Sequence, residues 1–238
     1  MKLSAHQLNY LPYPGLIAKI NFSDVFIYLT KIQFQKKSWH SRNQILNRNK
    51  PLLLSVPIKK NKLPEIREVE IDNNTDWKKN HLKNIYLSYK KSKYFKEYIG
   101  FFEELYSKNW IKLEDINIYT LKFLMKELDI KTKILNDKDF NFQSKNNNLL
   151  IEMCQTIGAK SYISNKGSQS YVNLEIFKKK KIDHYFINYK SVQYNQNIKE
   201  FTPNLSIFDM LFFCGKIKTQ NIIKDNDNLD ISKNYQEL

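Results

Sequence analysis

The sequence predicts an α/β fold: a three-layer Rossmann-like core with a helical insertion at about residues 78–130. Three observations carry this. A first strand runs into a rigid turn and a short helix, apolar strand-like runs recur on both sides of helical ones, and helix-period segments crowd the middle of the chain. The 238 residues suffice for one large core, and 42% hydrophobic content with 15 Phe and 15 Tyr makes that core aromatic. Only 5 Gly and 6 Pro argue against a linker-like chain.

In chain order, the first strand ends at His6 and Gln7, before a "YLPYPG" turn stiffened by Pro12, Pro14 and Gly15. "GLIAKINFSD" forms a short helix with Leu16, Ile17 and Ile20 inward, and "VFIYLT" (25–30) is a strand by composition. The polar "KIQFQKKSWHSRNQI" reads as a loop, and "PLLLSVPI" as a strand that Pro57 ends at an edge or turn. Three helices follow. The first places Leu82, Ile85, Tyr86 and Tyr89 at helical spacing, the second Phe95, Ile99, Phe102 and Leu105, and the third covers "LEDINIYTLKFLMKELDI". "NNLLIEMCQTIG" gives a fourth helix, ended by Gly158, with short strands at "KSYIS" and "DHYFINY". "NLSIFDMLFFCG" is a helix capped by Ser206, with Asp209 in a capping-box variant and Gly215 as terminator. Residues 1–217 form a single domain on this reading, and 218–238 a polar tail that frays.

The formal charge is +15, and residues 1–60 hold ten Lys or Arg against one acid, a local balance of +9. That balance suggests an anion-binding N-terminal half. Nucleic acid is not the expected partner, because the aromatics keep core spacing rather than alternating with basic residues. The opening lacks the apolar run of a secretion signal and no segment reaches membrane-spanning length, so a cytoplasmic location without membrane insertion is expected. Cys154 and Cys214 offer no disulfide framework, and Cys154 reads as a buried thiol. There is no glycine-rich phosphate loop, dinucleotide fingerprint or metal-ligand motif. A bound anion would rely on side chains and bare helix N-termini.

Two constellations stand out. His6 and Gln7 either brace the turn or act at a strand-to-helix junction, His6 as base or oriented donor and Gln7 on a substrate carbonyl. Lys36, Lys37, Trp39, Arg42 and Asn43 either form a solvated basic loop or bind a ligand. In the second case Arg42 grips a phosphate or carboxylate, Lys37 adds charge and Trp39 stacks. His81 reads first as a helix cap or a solvent-facing residue, and Asp209 as part of its own helix start.

The segments "HQLNYLPYPGLIAKI", "DVFIYLTKIQFQKKSWHSRNQI", "LLLSVPI", "WKKNHLKNIYLSYKKSKYF", "IGAKSYISNKGSQSYVN" and "FTPNLSIFDMLFFCG" resemble, in order and spacing, the WbqC-like proteins of bacterial surface-polysaccharide gene clusters. The resemblance covers about residues 5–215. Leu8 stands where the family usually has proline, His40 and Ser41 where it has Gln-Asn, and Ser92 and Lys93 where it has Ala-Pro. Arg42, Asn43, His81, Ser206 and Asp209 match.

The resemblance implies a part in O-antigen or lipopolysaccharide assembly, as a transferase moving an acyl or aminoacyl (glycyl-type) group to the amino group of a nucleotide-linked amino sugar. His6, Gln7, His81 and Asp209 then stand as catalytic candidates. Tyr10, Lys19, Gln33, Lys37, Trp39, Arg42, Asn43 and Ser206 are the substrate-binding ones. The donor would be a thioester or an aminoacyl carrier, and Mg²⁺ would arrive only with a phosphate substrate. The N-terminal layout is also similar to the HUP-like nucleotidyltransferases, although their second histidine is missing. A nucleotidyltransferase and a noncatalytic sugar-nucleotide-binding protein are the alternatives.

Overall fold

The computed structural model describes residues 1–60 and 64–233. Its elements run β1 (Lys2–His6), α1 (Pro14–Phe22), β2 (Val25–Tyr28), β3 (Arg42–Asn47), β4 (Lys50–Ser55), α2 (Trp77–Tyr89), α3 (Phe95–Ser107) and α4 (Leu113–Glu127). They continue with β5 (Lys133–Asn136), α5 (Asn146–Ile157), β6 (Ser161–Asn165), α6 (Leu174–Lys179), β7 (Asp183–Tyr189), α7 (Ile207–Lys224) and β8 (Leu229–Lys233).

Six strands form the central sheet in the order β5-β2-β1-β6-β7-β8, parallel throughout except for antiparallel β8 at one edge. The chain builds outward from β1 in one direction through β2 and β5, then returns to its other side with β6. The β1/β6 seam is therefore where the strand order reverses, the place at which open α/β sheets bind ligands.

Alternation along β1 assigns the two faces. Leu3 and Ala5 pack with Ile151, Met153 and Cys154 of α5 and Phe177 of α6. On the opposite face, Phe26, Ile163 and Ile187 meet α1, α2, α3 and α7. This is a three-layer α/β core. The aromatic content goes mostly to the second face, where Tyr89 stacks on Phe212 with centroids 4.3 Å apart and Phe102 meets Phe208 at 4.7 Å.

Several elements differ from expectation. Arg42 and Asn43 are not in a loop: they open β3, which pairs with β4 in a separate two-stranded sheet. The inner face of α2 is Trp77, His81, Ile85 and Tyr89, an i, i+4 stripe, while Tyr86 is exposed and Leu82 only half-buried. Gly215, at φ 73° and ψ 179°, ends the helical segment that Ser206 opens, as expected, but a second helical segment follows it directly and carries α7 on to Lys224. The expected fraying tail is accordingly the last turns of α7 and the sheet-edge strand β8 as far as Lys233, with residues 234–238 outside the described residues. Ile222, Ile223 and Leu229 are buried in that stretch, and a polar average hid them. Strand β5 and helix α6 were not anticipated either, being only four and six residues long.

Candidate functional site

The ladder between β1 and β6 ends at the pair Ser4 and Ile163, although β1 continues to His6 and β6 to Asn165. Beyond that pair the two strands part. A cavity of about 720 Å³ opens at their carboxyl ends, lined by Ala5, His6 and Gln7 from β1 and its turn, Ser164 and Asn165 from β6, and the first turn of α5. A smaller cleft of about 400 Å³ adjoins it. His6, Gln7 and Ile32 belong to both linings, and Gln33, Trp39 and His40 complete the second.

The protonation of His6 follows from its hydrogen bond. Nδ1 lies 2.7 Å from the Gln7 carbonyl, which can only accept, so Nδ1 carries the hydrogen and Nε2 keeps its lone pair. Burial, and after it the charge of Lys19, pushes the imidazole pKa down to about 3, against the Gln7 bond. The ring is neutral at pH 7.

Lys19 reaches the cavity from α1. Its side chain is 2% exposed, and Nζ donates to the Ala5 carbonyl at 3.2 Å. Among the described residues no carboxylate pairs with it, and burial lowers its pKa to about 7. Nearby, His184 of β7 is fully buried with Nε2 3.1 Å from Ser164 Oγ, and burial together with Lys19 lowers it to about 4. The start of α1, where a dinucleotide would approach in many open sheets, is closed by Tyr13 and Tyr189 packed against Gly15.

The turn after β1 is held in place from three sides. Tyr10 N donates to the Trp39 carbonyl at 3.0 Å, Asn43 Nδ2 to the Leu11 carbonyl at 2.5 Å, and Ile207 N to the Pro12 carbonyl at 2.9 Å. Leu11 sits at φ 42°, a strained value that these bonds over-determine. The His-Gln turn and the tryptophan loop, 30 residues apart, are thereby joined. Trp39 remains 49% exposed at the cleft, with the Arg42 guanidinium over its ring 5.9 Å from the centroid.

The structure thus brings together His6, Gln7, Lys19, Gln33 and Trp39. The remaining candidates lie elsewhere. Arg42 keeps company with Trp39, its guanidinium over that ring, but it donates to the Lys37 carbonyl and lines neither cavity. Lys37, at φ 62°, borders a separate groove of about 630 Å³ that shares Gln33 and Gln35 with the cleft. Asn43 is spent on Leu11, and Ser206 caps α7 by accepting from Phe208 N. His81 and Tyr10 are internal: Tyr10 Oη lies 2.9 Å from His81 Nδ1 and 2.5 Å from Tyr106 Oη, with Trp77 edge-on to the imidazole. Burial lowers His81 to about 4. Asp209 is fully buried and accepts from Tyr194 Oη at 2.6 Å, Tyr89 Oη at 2.8 Å and Gln196 Nε2 at 2.8 Å. Burial raises its pKa against those bonds, and no capping box forms.

Sequence reasoning missed the α5 side of the cavity. Asn146 and Asn147 begin a helix whose N-cap, Lys145, makes no side-chain cap bond and whose first turn holds no acid. The signal available was that acid-free "NNN" start; what it faces depends on strand order, which no local pattern reveals. Among the described residues no group of three or more His, Cys, Asp or Glu is placed to hold a metal ion, and no helix is long and apolar enough to cross a membrane.

The fold is an α/β architecture with a mostly parallel open sheet and a cavity at its switch point. The chain belongs to the WbqC-like protein family, whose model matches residues 7–221. It is also 29% identical, over 218 residues, to the uncharacterised protein Rv1507c of Mycobacterium tuberculosis, with 90% of this chain and 94% of that protein covered. No solved structure matches the chain at a significant level.

Proposed function

We propose that this chain transfers an acyl or aminoacyl group, of the glycyl kind, to the amino group of a nucleotide-linked amino sugar in surface-glycan (O-antigen or lipopolysaccharide) assembly. The observation that supports this reading is the placing of His6. It ends β1 between two connected cavities, with Nδ1–H anchored and Nε2 free, the arrangement a general base between two substrates needs. In the proposed reaction the neutral amine attacks the carbonyl of a thioester or aminoacyl carrier. A C–N bond forms, the proton leaves nitrogen for His6 Nε2, and the C–S or C–O bond breaks as the leaving group takes that proton. The Gln7 amide donates to the developing oxyanion, and Trp39 stacks on the base or sugar.

The low pKa of His6 suits this cycle in one respect: the imidazolium is a strong acid and releases its proton readily. As a base it is weak while Lys19 bears an unpaired charge beside it. A bound anion would offset that charge and raise His6 toward its ordinary value. Mg²⁺ enters only as a companion of the substrate's phosphates.

The test is product formation, followed by mass spectrometry, with an amino-sugar nucleotide and an acyl thioester or aminoacyl carrier. His6→Ala and His6→Gln are expected to lower turnover by roughly 10²–10⁴-fold. A loss below tenfold in both folded variants sinks the base assignment. Binding of the sugar nucleotide without product from any donor favours a noncatalytic protein.

A further inference from the structure

We propose that the switch-point cavity is a phosphate site, in which the Lys19 ammonium and the first turn of α5 together hold the phosphate-bearing end of the substrate. The inference deepens the transfer reading and rests on it for the identity of the whole substrate, but not for the anion.

The donation to the Ala5 carbonyl is a small structural return for burying Lys19. Its neighbours on α1, Leu16, Ile17 and Ile20, fill the apolar interior, and a lysine among them is costly unless its charge is used. It does not reach solvent, being 2% exposed, and no carboxylate among the described residues meets it. One backbone carbonyl takes one of its three hydrogens, leaving two for a ligand. It stands where β1 and β6 part, so its charge faces the cavity rather than a packed core.

The opposite wall supplies the complement. Asn146, Asn147, Leu149 and Leu150 put the start of a 12-residue helix on the cavity, and its opening bond runs from Leu149 N to the carbonyl of the N-cap Lys145. The N–H groups before Leu149 have no intrahelical acceptor and the first turn holds no acid; the Glu152 carboxylate, further along the helix, is taken up by the backbone N–H groups of Gln143 and Ser144 ahead of it. Ser164 and Ser168 add hydroxyls to the lining. At about 720 Å³ the cavity has room for a diphosphate with part of a sugar.

The charged groups facing Lys19 are few. His6 and His184 are both depressed by its charge, and none of the cavity-lining residues is acidic. An oxyanion arriving there offsets the repulsion that Lys19 exerts on both rings. Binding therefore takes up a proton on Lys19 at pH 8, because the lysine, down at about 7 when the cavity is empty, becomes charged when it is filled.

Inorganic pyrophosphate, uridine diphosphate and malonate are the probes, titrated calorimetrically into the full chain at pH 8 in two buffers of different ionisation enthalpy. Pyrophosphate and uridine diphosphate are expected to bind with proton uptake, and Lys19→Met to weaken them about tenfold or more. Asn146→Asp is the second variant. It places an acid in the first turn, which favours the helix while repelling the ligand, so binding weakens with no loss of thermal stability.

That opposition of signs is not what general damage to the fold produces, and this variant decides the matter if Lys19→Met does not fold. No binding to the wild type, or binding that both folded variants leave unchanged, overturns the inference. Malonate binding tighter than pyrophosphate overturns the phosphate assignment. Lys19-dependent binding without any product would sink the transfer reading and leave this site standing; product formation indifferent to Lys19 would do the reverse.

Discussion

At the residue scale, position in sequence and position in space divide the candidate residues differently. His81 and Asp209 carry reactive groups, yet both are buried within hydrogen-bonded networks that tie α2 and α7 to neighbouring segments. Their substitution should be felt as stability. Tyr194→Phe and Tyr89→Phe each remove one donor from the Asp209 carboxylate. Each is expected to cost about 1–3 kcal/mol in urea unfolding, the two together more than their sum. Turnover per folded molecule should stay within about threefold, below the smallest loss that mutagenesis assigns to a general acid or base. A hundredfold loss at unchanged stability would return Asp209 to the reacting centre. His6 was legible because a polar pair just before a proline-stiffened turn is conspicuous. Lys19 carries the same information less visibly, as a lysine inside an apolar helix face, and nothing local says where its amine emerges.

At the element scale, the break in α7 is the most constrained feature. Gly215 has φ 73°, and a Cβ there would come within 2.6 Å of the Tyr94 ring. Gly215→Ala therefore meets both a left-handed backbone and a clash, with an expected loss of about 1–3 kcal/mol by chemical denaturation. Adding Tyr94→Leu should recover the part due to the ring and not the part due to φ. Full recovery would show that backbone conformation costs nothing at this position. Most elements were readable from period and composition: α1, α4, α5 and β7 follow their apolar spacing closely, and α3 is a helix where expected, although its buried face is Tyr98, Phe101, Phe102, Leu105 and Tyr106 while Phe95 and Ile99 are only half-buried. Those misread are short or built on an unusual stripe. Strand β3 begins with Arg42-Asn43-Gln44, polar residues that sit in a two-stranded sheet facing solvent on one side, so alternation there is weak. In α2 the core stripe includes Trp77 and His81, and only a structure shows a histidine replacing Leu82 on the inner face.

At the scale of the whole molecule, buried bases govern the response to pH. The fold keeps His6 neutral down to about 3 and His40, His81 and His184 down to about 4, whereas an unfolded chain protonates them near 6.5. Between those values the unfolded state binds more protons, so stability falls as pH drops from 6.5 toward 4. Asp209, raised by burial, acts in the opposite sense. Lys19 extends the climb on the alkaline side. With its pKa at about 7 against about 10.4 unfolded, stability rises with pH across that interval, by up to ~1.4 kcal/mol per pH unit from this group. Partly buried tyrosines such as Tyr28 and Tyr189, pushed up to about 12, reverse the trend once the tyrosines of the unfolded chain begin to ionise, from about pH 9. Melting temperature in the absence of ligand should therefore peak near pH 9, and Lys19→Met should flatten the limb between 7 and 9. A wild-type maximum near pH 6 would contradict the neutral, buried state of these groups. The strand order that creates the cavity belongs to this scale as well, which is why sequence reading found one wall of the site and not the other.

Strand β8 is a selvedge. It pairs antiparallel with residues Tyr185–Tyr189 of β7 and is made by the last described residues, to Lys233. Shortening the gene so that translation stops after Lys224 would strip that hem and leave a bare parallel border five residues long, the kind of surface that recruits another copy. Such a product should sediment as dimers or larger species in dilute solution, even though nothing at the ligand cavity had been touched.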